Sequence, residues 1–406
     1  MTTTETENER GAIKELETKC LHLPHDEERR RYEATFGAIS YPIFQTAAFE
    51  HPGVRADYQP GQDHISLSSG HNYTRESNPT RDHLEKLIAQ LENGETALAM
   101  SSGMAAITLL LNHFRSGDQI IVDSDLYGGS IRLFAEYGER YGIKFTRCDL
   151  TKDDPSAVAT DRFKAIYFET PTNPMTHVVD IEKYAKFAHD RGALCVVDNT
   201  FLSPYFQNPL DWGADVVVHS GTKFLSGHHD TIAGFLVVRD RALGDELKLL
   251  STTVGSALAP FDAWLVLRGV RTLSVRLDRA QENAFKIVEA LQKQPHVTRV
   301  FYPGIESSPG YAIMKKQARG FGAMISFETD TKERAISTLT KVKTIVFAES
   351  LGGVESLITY PIAQTHASVP PDVLDANGLT DRILRLSVGI EGASDLVADL
   401  DQALNS

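Results

Sequence analysis

"VVVHSGTKFLSGHHD", residues 216–230, runs from three valines into a loop that carries a lysine. Val216, Val217 and Val218 show no polar alternation, which is the pattern of a strand covered on both faces. Such strands belong to parallel sheets flanked by helices. Lys223 follows the strand closely, among Ser220, Thr222 and several glycines. Open parallel sheets bind their ligands at that carboxyl end. Lys223 is therefore either a solvated surface lysine, as most lysines are, or a desolvated amine used for covalent chemistry.

The neighbouring segments support the sheet. "TALAMSS", "QIIVDSD", "IKFTRCDL", "FKAIYFET", "ALCVVDNT", "ADVVVHS" and "GFLVV" read as strands. Between them, "GMAAITLLLNHF", "GSIRLFAEYGERYG" and "DIEKYAKFAHDRG" have helical spacing, the last two ending in glycine. This alternation predicts βαβ units, a mostly parallel seven-stranded sheet, and helices on both faces. After about residue 255 long helical patterns dominate, followed by short strands at "VTRVFYP", "GAMISFET", "TIVFAES" and "ILRLSVGIE". Helices are expected around 331–341 and 394–404. The division read from these patterns is an N-terminal arm over 1–60, a ligand-binding domain over 61–255 and a smaller α+β domain over 256–406. The arm is read as extended because periodicity is low and Pro24, Pro42, Pro52 and Pro60 are scattered through it. An arm of this length needs a surface to lie on, and a neighbouring subunit is one candidate.

The formal net charge of −13 over 406 residues argues against nucleic acid or an acidic membrane as partner. Three scattered cysteines, Cys20, Cys148 and Cys195, suit neither a disulfide framework nor a thiolate metal site. No apolar run reaches membrane-spanning length, and the polar N-terminus lacks the features of a signal peptide. A cytoplasmic location is expected.

Five clusters follow the strands: Ser101–Gly103, Asp125–Tyr127, Glu169–Asn173, Asp198–Thr200 and Ser220–Lys223. In the expected sheet they converge on one crevice. Gly103 and Met104 open a helix, where free N–H groups and the helix dipole suit a phosphate. Ser220 and Thr222 offer hydroxyls to the same anion. Asp198 ends an apolar strand, either as a cap or as the partner of a heterocyclic nitrogen. Tyr127 precedes two glycines and is suited to stack on a ring or to exchange a proton. A phosphate nest, an aspartate, a stacking tyrosine and a lysine together match pyridoxal 5′-phosphate. No GxGxxG or GxxxxGK fingerprint points to a nucleotide.

The motifs "YTRESNPTR", "SSGMAA", "DLYGG", "ETPTNP", "VVDNTF", "SGTKFLSGH", "AESLGG", "THASVP" and "LRLSVGIE" resemble those of the pyridoxal-phosphate enzymes of Cys/Met metabolism. That group includes cystathionine γ-synthase, cystathionine γ-lyase, cystathionine β-lyase and methionine γ-lyase. The resemblance extends from about Gly37 to Leu404. It implies a type I PLP-dependent transferase fold and a homotetramer, a dimer of dimers with shared active sites. It implies that Lys223 holds the cofactor covalently and moves protons. It also gives the phosphate to Gly103, Met104, Ser220 and Thr222, with Tyr73 and Arg75 reaching the phosphate of a neighbouring subunit. Tyr127 stacks and acts as an acid, Asp198 holds the pyridine nitrogen, and Asn173 contacts the ring hydroxyl. Arg385 resembles the clamp for the substrate α-carboxylate, and Arg132 is a second candidate near the substrate.

Two residues depart from the pattern. Phe224 stands where many members carry tyrosine, and His229 where a small polar residue is expected. His219, His228, His229 and Asp230 cluster in sequence, but a metal site is not expected of them. Glu349, before Ser350, is the residue expected to sort substrates, since a carboxylate there receives the distal ammonium of cysteine or cystathionine. The implied reaction is γ-replacement or γ-elimination on a homoserine-derived or cystathionine-like amino acid. Methionine γ-lyase or cystathionine β-lyase chemistry, an unusual halogenated substrate, and a non-catalytic relative remain the alternatives.

Overall fold

The computed structural model describes residues 13–51, 70–367 and 369–406. Seven strands build the large sheet: β1 (Thr96–Met100), β2 (Gln119–Asp123), β3 (Lys144–Cys148), β4 (Phe163–Glu169), β5 (Leu194–Asp198), β6 (Val216–Ser220) and β7 (Gly234–Val238). Their order is β1-β7-β6-β5-β4-β2-β3. The pairs from β6 through β3 are parallel, whereas β7 runs antiparallel to both β6 and β1. No crossover helix lies between β6 and β7, so β7 returns beside β6 in the opposite direction. Both faces are covered. Val217 packs into the core on one side, and Val216 and Val218 into that on the other.

The helix after β1 (Gly103–Leu111) packs on β6 and β7. Its cap is Ser102, whose Oγ accepts the Ala105 N–H at 3.0 Å. The helix Gly128–Tyr141 begins directly after Tyr127 and ends on Gly142 in the left-handed region.

Five further strands form the smaller sheet: β8 (Val297–Phe301), β9 (Met324–Thr329), β10 (Val346–Phe347), β11 (Leu357–Thr359) and β12 (Ile383–Ser387), in the order β10-β11-β12-β9-β8. The expected helices appear at Lys332–Lys341 and Ala393–Leu404. β11 has no counterpart in the strand patterns, since three residues carry too little periodicity.

The expected arm differs in part. Residues 1–12 and 52–60, with Pro52 and Pro60, lie outside the described residues. Of the described portion, Leu16–Lys19 and His25–Ala34 are helical rather than extended. The second of these helices has Asp26, Glu27 and Glu28 in its first turn and Arg31 in its last, which complements the helix dipole. Cys20 and Leu23 are buried in the core of the same chain. Among the described residues, no helix is long and apolar enough to cross a membrane.

Candidate active site

A cavity of about 280 Å³ opens where the large sheet's strand ends meet the small domain. Gly103, Met104, Tyr127, Asn173, Asp198, Ser220, Thr222, Lys223, Glu349, Ser350 and Arg385 all line it. The structure does not bring Tyr73, Arg75 or Arg132 to this wall. Tyr73 and Arg75 are exposed, with the guanidinium 5.6 Å from the Tyr73 ring centre and Nη1 donating to the Thr252 carbonyl at 2.5 Å. Arg132 is exposed on the helix Gly128–Tyr141.

One end of the cavity is built for an anion. The first N–H groups of a helix have no intrahelical acceptor, and Gly103 and Met104 hold such positions on the cavity wall. A Cβ at Gly103 would stand 3.1 Å from Ser220 Cα, so a side chain there would push β6 and the helix apart by a few tenths of an ångström. The Ser220 N–H donates to Thr200 Oγ1 at 2.8 Å. The Thr222 hydroxyl both accepts from the Ala233 N–H and donates to its carbonyl, at 3.0 and 3.2 Å.

Toward the sheet, Asp198 Oδ1 accepts from the Thr200 N–H at 3.0 Å and from its hydroxyl at 2.5 Å. Oδ2 lies 3.4 Å from the Tyr167 hydroxyl. Burial pushes the Asp198 carboxyl above the usual range, against the bonds from Thr200. Its register neighbour on β4 is Glu169. Burial, then repulsion from Asp198, raises the Glu169 carboxyl well above normal. Glu169 Oε1 also accepts the Tyr127 N–H at 2.7 Å, fixing the turn that presents the tyrosine ring. Among the described residues no Lys, Arg or His forms an ion pair with either of these adjacent carboxyls, and a protonated ring nitrogen would supply a cation there.

Lys223 faces them from the loop after β6. Its Nζ donates to Ser350 Oγ at 2.8 Å. Burial lowers its pKa to about 8; nearby Arg385 pushes the same way, and Glu349 opposes. The loop is anchored by Arg276, whose Nη1 donates to the Phe224 carbonyl at 2.8 Å.

Arg385, on β12, is 1% exposed. Nη1 donates to Asn173 Oδ1 at 3.0 Å, and Nη2 to the Ser350 carbonyl at 2.9 Å and Thr359 Oγ1 at 3.2 Å. Its Nε has no partner. Burial lowers its pKa to about 10, so it remains a cation at neutral pH. A phosphate nest, a carboxyl pair, an amine and a carboxylate-seeking guanidinium in one cavity fit pyridoxal 5′-phosphate carrying an amino acid.

Glu349 is exposed, on the wall shared with an adjoining cavity of about 860 Å³ that also holds His229 and Glu355. The histidines of the 219–230 stretch diverge. His219 is buried against Glu92 at 2.6 Å, and His228 meets the Ser226 carbonyl at 2.7 Å. Among the described residues no three potential metal ligands come together.

Glu169, Thr200, Tyr167 and Arg276 had no assigned role. Glu169 and Thr200 stood within the strand-end clusters, which was the available signal. Tyr167 inside β4 and the distant Arg276 offered none.

The model of the Cys/Met metabolism PLP-dependent enzyme family matches residues 17–405. The chain is 44% identical to a cystathionine gamma-synthase/O-acetylhomoserine (thiol)-lyase of Bacillus subtilis, covering 96% of each. It is 43% identical to a cystathionine beta-lyase of Lactococcus lactis subsp. cremoris, covering 96% of this chain and 98% of the relative. A crystal structure of cystathionine gamma-lyase from Lactobacillus plantarum, complexed with L-serine, superposes with a TM-score of 0.89 at 40% identity, over 97% and 99% of the two chains. The type I fold, the side chains lining the cavity and the match along nearly the whole chain agree: this protein belongs to the Cys/Met-metabolism family of enzymes that work with pyridoxal 5′-phosphate.

Proposed function

We propose that the enzyme carries out γ-replacement or γ-elimination on a homoserine-derived or cystathionine-like amino acid, as cystathionine γ-synthases and γ-lyases do. The observation that carries this reading is the unpartnered Nε of buried Arg385 in the cavity that holds Lys223. An α-carboxylate taken there places Cα beside the lysine. Bound pyridoxal 5′-phosphate supplies an electron sink for the charge left at Cα. Asp198 holds the ring nitrogen's proton. Lys223 Nζ, neutral in part near pH 8, takes the Cα proton, delivers it to another carbon and, neutral again, takes one from Cβ, as γ-chemistry requires. Ser350 Oγ steadies Nζ, and Tyr127 donates a proton to the leaving group. Residues 61–255 act as the cofactor domain, and residues 256–406 bring the substrate clamp.

Relatives with γ- and β-chemistry are equally similar, so products decide. Cystathionine should yield cysteine and 2-oxobutanoate, and O-acylhomoserine with cysteine should yield cystathionine, both identified by mass. Homocysteine with pyruvate as the main products from cystathionine would replace this reading with β-elimination. Glu349→Val tests distal recognition in the same assay. Because Glu349 is exposed, its charge contributes at most about 1 kcal/mol, or roughly fivefold. The kcat/KM ratio of cystathionine to methionine should fall by that factor. An unchanged ratio would assign the choice of substrate to other residues.

The subunits are proposed to pair into a dimer of dimers with shared sites. Tyr73 and Arg75 are exposed and do not line the cavity of their own chain, which supports this. Hybrids of a Lys223→Ala chain and an Arg75→Ala chain should regain activity, since one composite site is intact. Verified hybrids that stay inactive would count against sharing. Three buried free cysteines suit a reducing compartment, and the cytoplasm is proposed on that ground.

A further inference from the structure

His366 lies in the segment after the short 3₁₀ turn Pro361–Ala363, and it is 3% exposed. Its Nε2 is 3.1 Å from the Asn173 carbonyl and its Nδ1 is 2.9 Å from Thr365 Oγ1. A carbonyl only accepts, so Nε2 carries the proton, and Nδ1 accepts from the threonine hydroxyl. Both ends of the ring therefore have fixed partners. Burial lowers the pKa of His366, favouring this neutral form.

Each partner leads to the substrate cavity. Asn173 Oδ1 accepts from Arg385 Nη1 at 3.0 Å. Thr365 lines the cavity, and its carbonyl lies against Gly128, directly after Tyr127. The approach is so close that a Cβ at Gly128 would collide with that oxygen. The His366 ring thus stands between two pieces of the site that come from different sheets. One is the guanidinium on β12, and the other is the turn at the end of β2.

We propose that His366 is a positioning residue that holds Asn173, and through it Arg385, in register with the Tyr127 turn. It touches no reacting atom. Its effect is to keep the carboxylate-binding guanidinium pre-oriented, so that binding an amino acid costs no rearrangement of the clamp. This rests on the reading that Arg385 receives the α-carboxylate.

The test uses the cofactor-loaded enzyme and glycine, which has the α-carboxylate but no group to eliminate. In His366→Ala the glycine dissociation constant, measured by calorimetry, should rise about tenfold, ~1.4 kcal/mol. KM for the sulfur substrate should rise with it while kcat stays within about twofold, the pattern of lost binding shared by ground and transition states. His366→Gln carries an amide N–H at the reach of Nε2 and should restore glycine binding to within about threefold of wild type. His366→Asn is too short and should not. The cofactor's visible absorbance should be unchanged in all three. Wild-type glycine affinity in folded His366→Ala would overturn the proposal, as would equal weakening by Gln and Asn. If His366→Ala does not fold, the Gln–Asn comparison decides. Wild-type enzyme that binds glycine yet turns over neither cystathionine nor O-acylhomoserine would overturn the function proposed above and leave the role of His366 to the glycine measurements.

Discussion

Lys223→Ala should lower kcat by more than about 10³-fold, within the range that a positioned proton-transfer group contributes. It should also remove the visible absorbance of the covalently held cofactor. Among the described residues no other lysine lines the cavity to take its place. Borohydride reduction and peptide mapping of the wild type should find the cofactor on Lys223; label elsewhere would refute the assignment. The lowered pKa, about 8, adds a pH signature. Only the neutral amine attacks an aldehyde. At pH 7 about one amine in ten is neutral at this pKa, against roughly one in three thousand for an ordinary lysine. When cofactor-free protein is mixed with pyridoxal 5′-phosphate, the capture rate should therefore fall about tenfold per pH unit below 8 and level off above it. A rate still climbing through pH 10 would mean the amine is not desolvated.

Six of the large-sheet strands are legible as short, largely apolar runs with a turn signal behind them, whereas the edge strand β3, KFTRC, is legible by its place between a helix pattern and the next strand. Direction was less legible. "GFLVV" is as apolar as its parallel neighbours, and only the missing crossover helix marks β7 as reversed. The cavity residues were legible because a parallel sheet gathers its strand ends, so positions remote in sequence become neighbours by topology alone. What escaped depends on contacts that no local pattern encodes. Arg276 reaches Phe224 from a helix in another part of the chain. His366 stood inside the quoted "THASVP" motif, yet its bond to Asn173 exists only in the folded chain. The exposure of Glu349 was equally invisible: the sequence places it at a strand end and says nothing of the solvent on its other side.

Arg385→Leu should lower kcat/KM by about 10²- to 10³-fold, and the reason lies in the enzyme before substrate arrives. The guanidinium is buried, yet its three bonds all go to neutral acceptors. No carboxylate of the described residues forms an ion pair with it. Burial alone would favour losing the charge, but a pKa still near 10 keeps it cationic. A buried cation without a counter-ion is costly, and a substrate carboxylate relieves that cost on binding. Charged hydrogen bonds contribute about 1.5–3 kcal/mol each, so two bonds from the donors still open, on Nε and Nη1, account for the expected loss even after substrate desolvation. Arg385→Lys keeps the charge but not the planar fork, and should lose roughly 10- to 100-fold. The decisive comparison is a double cycle with substrate and its α-carboxamide. In wild type, converting carboxylate to amide should cost about as much as Arg385→Leu does. In the leucine variant that conversion should cost almost nothing, because the charge it removes no longer has a partner. If the variant still penalises the amide in full, the carboxylate binds elsewhere, and the orphaned Nε of Arg385 serves some other ligand.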